Sequence, residues 1–408
     1  MSPPPKSLRP SFPLSMVTLL GDPVRQLLFR IDPERAMKRA ERSTGLDDFG
    51  DPDGNLRRRL QETVDTLLET DWNTLGRFGI LYILHWHLSN RLRIVEALKQ
   101  RPDIEDIRID RPLVITGLFR TGTTYLHRVL AADPTSRTAS TWELARPVGR
   151  TRDLMGDEPW RRWRAGHEVA MDEIMIPEQA QVHVVTVDGE EEDFFLLEND
   201  MANMKFCVGL GDFGYATRML DWDMVGPYEW HKRQLQILWA QRSATRWLLK
   251  CPWHLWNLQA LLTVYPDAQV IQTHRELVGT IGSQCSLTAR IASKFRRDLD
   301  LCDVGQFWMD YSRAGIDRGL EARAALPSSQ IYDVRLADLR SRTLGVVEEI
   351  YQHFGLPFGD ALVAQLRARI AEDPKAQLGE HDYEIADYGL DVAQIENRFA
   401  DYRARFGV

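Results

Sequence analysis

The chain has 408 residues, which is long enough for one large domain or for two. Hydrophobic residues make up 44% of it and charged residues 27%, which are ordinary values for a globular protein. The net charge of −8 argues against binding to nucleic acid or to an anionic membrane surface. The four cysteines are scattered without a CxxC pair, which favours a cytoplasmic protein over a disulfide framework or a zinc site.

Residues 1–108 are predicted to form an N-terminal helical extension. Apolar residues recur at intervals of three and four in LRRRLQETVDTLLETDW (56–72) and RLRIVEALKQR (91–101). The most apolar stretch, FGILYILHWHL at 78–88, is too short to cross a bilayer, and the first residues lack the pattern of a signal peptide. We therefore expect no integral membrane segment.

Residues 109–408 are predicted to form an α/β domain, because short apolar runs alternate with amphipathic stretches. The runs are PLVITG (112–117), SRTAST (136–141), RWLLKC (246–251), AQVIQT (268–273) and QIYDVR (330–335). This pattern predicts a P-loop-like parallel sheet flanked by helices. Residues at about 151–245 interrupt the alternation and are predicted to be a helical insertion over the carboxyl ends of the strands, where open sheets bind their ligands.

The stretch VITGLFRTGTTYLHRVL (114–130) predicts an anion-binding loop between a strand and a helix. Gly117 and Gly122 have the spacing of a nucleotide-binding P-loop, and Thr124 is in place. Thr123, however, replaces the lysine that reaches the β- and γ-phosphates, and Arg120 stands three residues upstream.

The strand that follows in AQVIQTHRELVGTIGS ends in His274 and Arg275, and not in the carboxylate that a magnesium-dependent nucleotide site needs. A second cation suits a second anionic group. The sequence therefore predicts a ligand with two separate anionic groups and no metal ion.

The segment FRTGTTYL resembles the 5′-phosphosulfate loop of the sulfotransferases that use 3′-phosphoadenosine-5′-phosphosulfate (PAPS). Arg275 and Ser283 keep the eight-residue spacing of the 3′-phosphate motif in that family. The segments STWELARP (140–147) and LLKCPWHLWNLQALLTVYPDAQVIQTHRE resemble its bacterial branch, and the matches cover roughly residues 110–400. The Arg-Lys-Gly-rich loop that closes over the cofactor in the animal cytosolic enzymes has no clear counterpart here.

The resemblance implies that PAPS is the co-substrate and that a sulfuryl group passes to a hydroxyl acceptor by in-line displacement, without a metal ion. Arg120 is expected to neutralise the leaving phosphate, because its guanidinium is permanently charged, and Lys250 is expected to contact the transferring group. The residues expected to bind the donor are Arg120, Thr121, Gly122, Thr123, Thr124, Tyr125, Arg275 and Ser283.

The general base is predicted to be Glu143, which lies 23 residues after Arg120. Partial burial would raise the pKa of its carboxyl toward neutrality, as a base requires. His254 is the competing candidate, although the resemblance places a histidine two residues after Lys250, where this chain has Pro252.

The acidic run DGEEEDFF (188–195) and His183 are further candidates, because their side chains could orient an acceptor. The same acidic run could instead form the first turn of a helix, where negative side chains are favoured.

Two other functions stay open from the sequence: a phosphotransferase of the nucleoside-kinase type and a non-catalytic nucleotide-binding protein. The twelve tryptophans favour an apolar acceptor, an alcohol or phenol that includes lipid-like molecules. No oligomeric state is predicted.

Overall fold

A five-stranded parallel sheet forms the centre of the protein in a computed structural model, which describes residues 18, 20–176, 184–372 and 384–408. The spatial order of the strands is β2-β3-β1-β4-β5. All five predicted strands are confirmed, although β2 takes up only two residues of its predicted run. The strands are β1 Leu113–Gly117, β2 Ser136–Arg137, β3 Arg246–Lys250, β4 Gln269–His274 and β5 Ile331–Arg335.

Helices cover both faces of the sheet, as the P-loop-like prediction requires. Before and around the loop they are α1 Arg25–Leu28, α2 Pro33–Thr44, α3 Asn55–Leu67, α4 Thr74–Gln100, α5 Thr123–Leu130 and α6 Thr141–Ala145. The next are α7 Glu158–Met175, α8 Phe194–Glu198, α9 Phe213–Met219, α10 Val225–Gln241, α11 Leu258–Val264 and α12 Leu277–Ala292. The last are α13 Leu301–Ala324, α14 Leu336–Ser341, α15 Thr343–Phe354, α16 Asp360–Glu372, α17 Val392–Arg398 and α18 Ala400–Phe406.

Alternate residues of the strands contribute side chains to two separate hydrophobic clusters, because successive side chains of a strand point to opposite faces. Leu113 and Ile115 of β1 pack with α5 and α15 on one face. Val114 faces the larger cluster, which also contains Leu84 and Leu88 of α4. The predicted N-terminal extension therefore shares its core with the sheet. Among the described residues, no helix is long and apolar enough to cross a membrane.

The predicted insertion separates β2 from β3 and contains α7 to α10. Buried ion pairs connect it to the N-terminal helices: Arg91 Nη1 lies 2.8 Å from Asp200 Oδ1, and Arg59 binds the other carboxylate oxygen. Removing one partner of such a pair leaves an uncompensated buried charge, which costs about 3–5 kcal/mol. These contacts hold the insertion in place against the rest of the domain.

Candidate active site

The glycine loop lies between β1 and α5 and depends on backbone angles that its two glycines supply. Gly117 has a φ of 150° and Gly122 a φ of 94°. A Cβ on Gly117 would lie 2.5 Å from Thr273 Oγ1 and 2.6 Å from the carbonyl oxygen of the same residue. Arg120 also has a positive φ of 70°, which is uncommon for a residue other than glycine and marks a constrained turn.

The three threonines of the loop have different roles. The buried hydroxyl of Thr121 donates to the carbonyl of Leu118 at 2.6 Å and lies 2.6 Å from Thr273 Oγ1, so it joins the loop to β4. Thr123 and Thr124 open α5 and line a cavity above the loop. The hydroxyls of Thr123 and Thr124 and the first amides of α5 therefore remain the groups that suit an anion, whereas Thr121 supports the loop from behind.

The structure brings Arg120, Arg275 and Ser283 together at one side of this loop. Arg120 Nε donates to Ser283 Oγ at 3.1 Å, and Arg275 Nη1 donates to the backbone carbonyl of Arg120 at 3.2 Å. All three residues line the cavity. Two guanidinium groups thus lie in one cleft, beside the N-terminus of α5, where positive charge is concentrated.

Lys250 ends β3 next to the loop. Its side chain is only 1% exposed, and its Nζ lies 3.4 Å from Thr124 Oγ1 and 2.6 Å from Glu192 Oε1. Thr124 and Glu192 both line the cavity, so the ammonium lies directly behind the wall that they form. From the sequence, Glu192 was a candidate only as a member of the acidic run at 188–195.

Glu143 lies away from the cavity. One of its carboxylate oxygens accepts from the amide of Ser140 at 2.9 Å, which completes a capping box at the start of α6. The other oxygen accepts from Arg137 Nη2 at 2.7 Å, and both side chains of this ion pair are buried. The geometry therefore gives Glu143 a structural position and offers no support for its predicted role as the base.

His254 is fully buried and does not line the cavity. Its Nδ1 lies 2.7 Å from the hydroxyl of Tyr228, and its Nε2 lies 2.8 Å from Asp193 Oδ1. His231 faces the same carboxylate at 3.9 Å, and burial lowers the pKa of this imidazole to about 4. His254 thus contacts the acidic run and does not reach the cavity.

Asp193, Cys251 and His254 offer ligand atoms within 4.8 Å of one another, a spacing that a metal ion could use. Burial raises the pKa of the Cys251 thiol far above its usual range, so a metal ion would have to displace the thiol proton before the sulfur could bind it. The contact between Asp193 and His254 explains this cluster without a metal ion. His183 lies outside the described residues.

A cavity of about 1340 Å³ opens above the loop. This volume exceeds that of ordinary small-molecule pockets, so it has room for two molecules side by side. Apart from the loop, its wall is largely apolar and comes from α4, the insertion and α12. Its apolar residues include Leu75, Phe78, Ile83, Trp86, Trp163, Met171, Met175, Phe194, Phe195, Met204, Leu210, Leu287, Ile291 and Phe295.

Tyr125 lines the cavity near the loop, and its hydroxyl lies 3.0 Å from Thr343 Oγ1. Behind it, His127 is fully buried beneath the loop, and burial lowers the pKa of this imidazole to about 3. His127 is therefore neutral at pH 7 and adds no charge to the site.

The arrangement is suited to group transfer between a doubly anionic ligand and an apolar one. Cations and helix amides at the loop can stabilise negative charge, since they are fixed before the ligand arrives. Apolar surroundings lower the local dielectric constant, which strengthens electrostatic contacts.

Comparisons with known proteins show the family of this chain. Residues 112–360 match the model of the sulfotransferase family. The omega-hydroxy-beta-dihydromenaquinone-9 sulfotransferase of Mycobacterium bovis is 24% identical over 348 residues, which are 81% of this chain and 84% of that protein.

Two solved structures are similar over nearly their whole length. The sulfotransferase STF1 of Mycobacterium tuberculosis H37Rv has a TM-score of 0.80 and 32% identity, with 91% of this chain and 99% of that chain covered. The sulfotransferase STF9 of Mycobacterium avium has a TM-score of 0.81 and 27% identity, with 92% and 96% covered. The chain therefore belongs to the sulfotransferase family, as its glycine loop and paired arginines indicate.

Proposed function

We propose that the protein transfers a sulfuryl group from PAPS to the hydroxyl of an apolar, lipid-like alcohol or phenol by in-line displacement. The observation that carries the proposal is the single cleft in which Arg120 and Arg275 meet the glycine loop and open onto an apolar cavity. The two arginines suit the two anionic ends of the donor, and the cavity suits the acceptor.

The donor would lie along the loop with its 5′-phosphosulfate over the start of α5. There the amides and hydroxyls of Thr123 and Thr124, together with Arg120, would stabilise the leaving phosphate. Arg275 and Ser283 would bind the 3′-phosphate, and Tyr125 would lie against the adenine. Thr121 and Gly122 would maintain the shape of the loop.

Sulfuryl transfer leaves little covalent work to the protein, so positioning and charge stabilisation dominate, as in phosphoryl transfer. Lys250 is close enough to the loop to reach the equatorial sulfuryl oxygens, because its Nζ already lies 3.4 Å from Thr124 Oγ1. These groups would supply the positive charge that a metal ion supplies in kinases.

The acceptor class follows from the cavity wall. The apolar side chains of the wall include Phe78, Trp163 and Met171, which are exposed. Each buried methylene of an acceptor would contribute about 0.8 kcal/mol of binding free energy. The mycobacterial relative that acts on omega-hydroxy-beta-dihydromenaquinone-9 supports a lipid-like alcohol. The cytoplasmic location stays a prediction.

The nucleoside-kinase alternative is disfavoured by membership of the sulfotransferase family. A non-catalytic nucleotide-binding protein would bind the donor but would not transfer its sulfuryl group, so a turnover assay distinguishes it from an enzyme.

The experiment is transfer of radiolabelled sulfate from PAPS to a panel of acceptors that contains hexadecanol, a polyprenol, 2-naphthol and trehalose. We expect labelled sulfate esters of the apolar members and none of trehalose. Transfer to trehalose alone would contradict the acceptor class. If PAPS binds but no acceptor of the panel is sulfated, the result supports the non-catalytic function.

A further inference from the structure

We propose that Glu192 is the general base that accepts the acceptor's proton, and that Asp193 and His254 are positioning residues that hold it at the end of β3. This proposal rests on the proposed function. It assigns the base to the acidic run, in place of Glu143.

Glu192 combines access to the cavity with contact to the donor loop. Its side chain is 17% exposed, lines the cavity and lies 2.6 Å from Lys250 Nζ. Glu168, Asp172 and Glu191 also line the cavity. Glu168 binds Arg146 and Arg164, and burial raises the pKa of the Asp172 carboxyl to about 6. The link through Lys250 to Thr124 places Glu192 beside the expected site of sulfuryl transfer.

The backbone next to Glu192 is fixed from two sides. Preceding residues pair with the segment before α6: Glu191 N donates to the carbonyl of Ala139 at 3.2 Å, and Thr141 N donates to that of Gly189 at 2.9 Å. On the other side, Asp193 N donates to the carbonyl of Lys250 at 3.3 Å. The carboxylate of Glu192 therefore has little freedom to leave the loop.

The Asp193 side chain anchors this segment in the core. His254 Nδ1 lies 2.7 Å from the Tyr228 hydroxyl, and its Nε2 lies 2.8 Å from Asp193 Oδ1. Burial alone would raise the pKa of the Asp193 carboxyl, but the charge and the hydrogen bond of His254 hold this pKa below its usual value. Asp193 therefore has a buried polar partner that fixes its side chain.

The transfer step balances as follows. The acceptor O–H gives its proton to the Glu192 carboxylate while its oxygen forms the new S–O bond. The bond between sulfur and the bridging phosphate oxygen breaks, and its electron pair leaves with adenosine 3′,5′-bisphosphate. The products are the sulfate ester, the bisphosphate and the neutral Glu192 carboxylic acid.

Lys250 couples the base to the donor. Its ammonium now neutralises Glu192, but the same group lies close enough to Thr124 to turn toward a bound phosphosulfate. The Glu192 carboxylate would then be released from this ion pair and would be available to an acceptor hydroxyl.

The test compares Glu192→Gln with two matched controls. We expect Glu192→Gln to lower kcat by about 10²–10⁴-fold, the usual contribution of a general base, with the Kd for adenosine 3′,5′-bisphosphate changed less than about threefold. Glu190→Gln removes a carboxylate of the same run that binds Arg369 outside the cavity, so its kcat should stay unchanged. Glu143→Gln should lower the melting temperature and leave the kcat of the folded protein intact.

A chemical rescue separates a base from a structural carboxylate. Formate should restore part of the lost kcat of Glu192→Ala. It should leave the kcat of wild type unchanged. Asp193→Asn should lower kcat about tenfold in wild type but have no further effect in Glu192→Gln, because it acts through Glu192.

Unchanged kcat in Glu192→Gln, or a full loss in folded Glu143→Gln, would overturn the assignment of the base. A wild type that fails to bind the bisphosphate would instead overturn the proposed function.

Discussion

Gly79→Phe is expected to change which acceptors the protein uses without unfolding it. Gly79 lies within α4, faces the cavity, and would place a Cβ 3.9 Å from its nearest neighbour, Leu210 Cδ2. This is ordinary van der Waals contact, and glycine within a helix costs about 1 kcal/mol relative to alanine. The new side chain should therefore be accommodated by the helix and extend into the cavity.

The magnitude follows from the space that the ring takes. The phenylalanine side chain would displace about three to four methylenes of the acceptor from the cavity. At about 0.8 kcal/mol for each buried methylene, the acceptor would lose about 3 kcal/mol of binding free energy. For hexadecanol, kcat/KM should fall about 100-fold, since each 1.4 kcal/mol is a factor of ten. For butanol, which does not need that part of the cavity, kcat/KM should change less than about threefold.

Radiolabelled transfer to both alcohols measures this difference, with Gly79→Ala as the control, because its methyl group fits without displacing an acceptor. If the long and the short alcohol lose activity equally, or neither loses any, the apolar cavity does not hold the acceptor and the reasoning is wrong.

Three further predictions concern the donor side and stability. Arg275→Ala should weaken the binding of adenosine 3′,5′-bisphosphate by about 1.5–3 kcal/mol in calorimetry, the usual contribution of hydrogen bonds to charged groups. The surface variant Arg58→Ala should leave this binding unchanged. Gly117→Ala should lower the free energy of unfolding by about 1–3 kcal/mol in urea titration, because its Cβ would meet Thr273 at 2.5 Å. Burial lowers the pKa of the His127 imidazole to about 3. The unfolded chain therefore binds one more proton than the folded protein below about pH 6.5, which lowers the free energy of unfolding by about 2 kcal/mol at pH 5. Urea titrations of His127→Gln should show a correspondingly flatter loss between pH 7 and pH 5.

The sheet and the glycine loop could be predicted from the sequence because their signals are local. The apolar runs and the spacing of Gly117 and Gly122 each lie within a few residues. The register that places Gly117 beside Thr273 follows from the pairing of β1 with β4. Arg120 and Arg275 could be placed together because they follow the ends of β1 and β4, which meet at one edge of a parallel sheet, whereas Ser283 was predicted from its spacing in the sulfotransferase motif.

The acidic residues could not be assigned in the same way, because their positions depend on distant partners. Glu143 binds Arg137 and caps α6, and nothing in its spacing from Arg120 shows this. The acidic run does not form the first turn of α8, since Glu190 instead pairs with Ser140 in an isolated antiparallel bridge. That pairing directs Glu192 to Lys250.

The central claim is that one cleft binds both ends of a doubly anionic adenosine ligand without a metal ion. Calorimetric titration of wild type with adenosine 3′,5′-bisphosphate, and separately with ATP plus magnesium, tests it most directly. We predict that the bisphosphate binds at least about 100-fold more tightly, a difference of about 2.7 kcal/mol. Equal affinity, or tighter binding of ATP with magnesium, would contradict the claim.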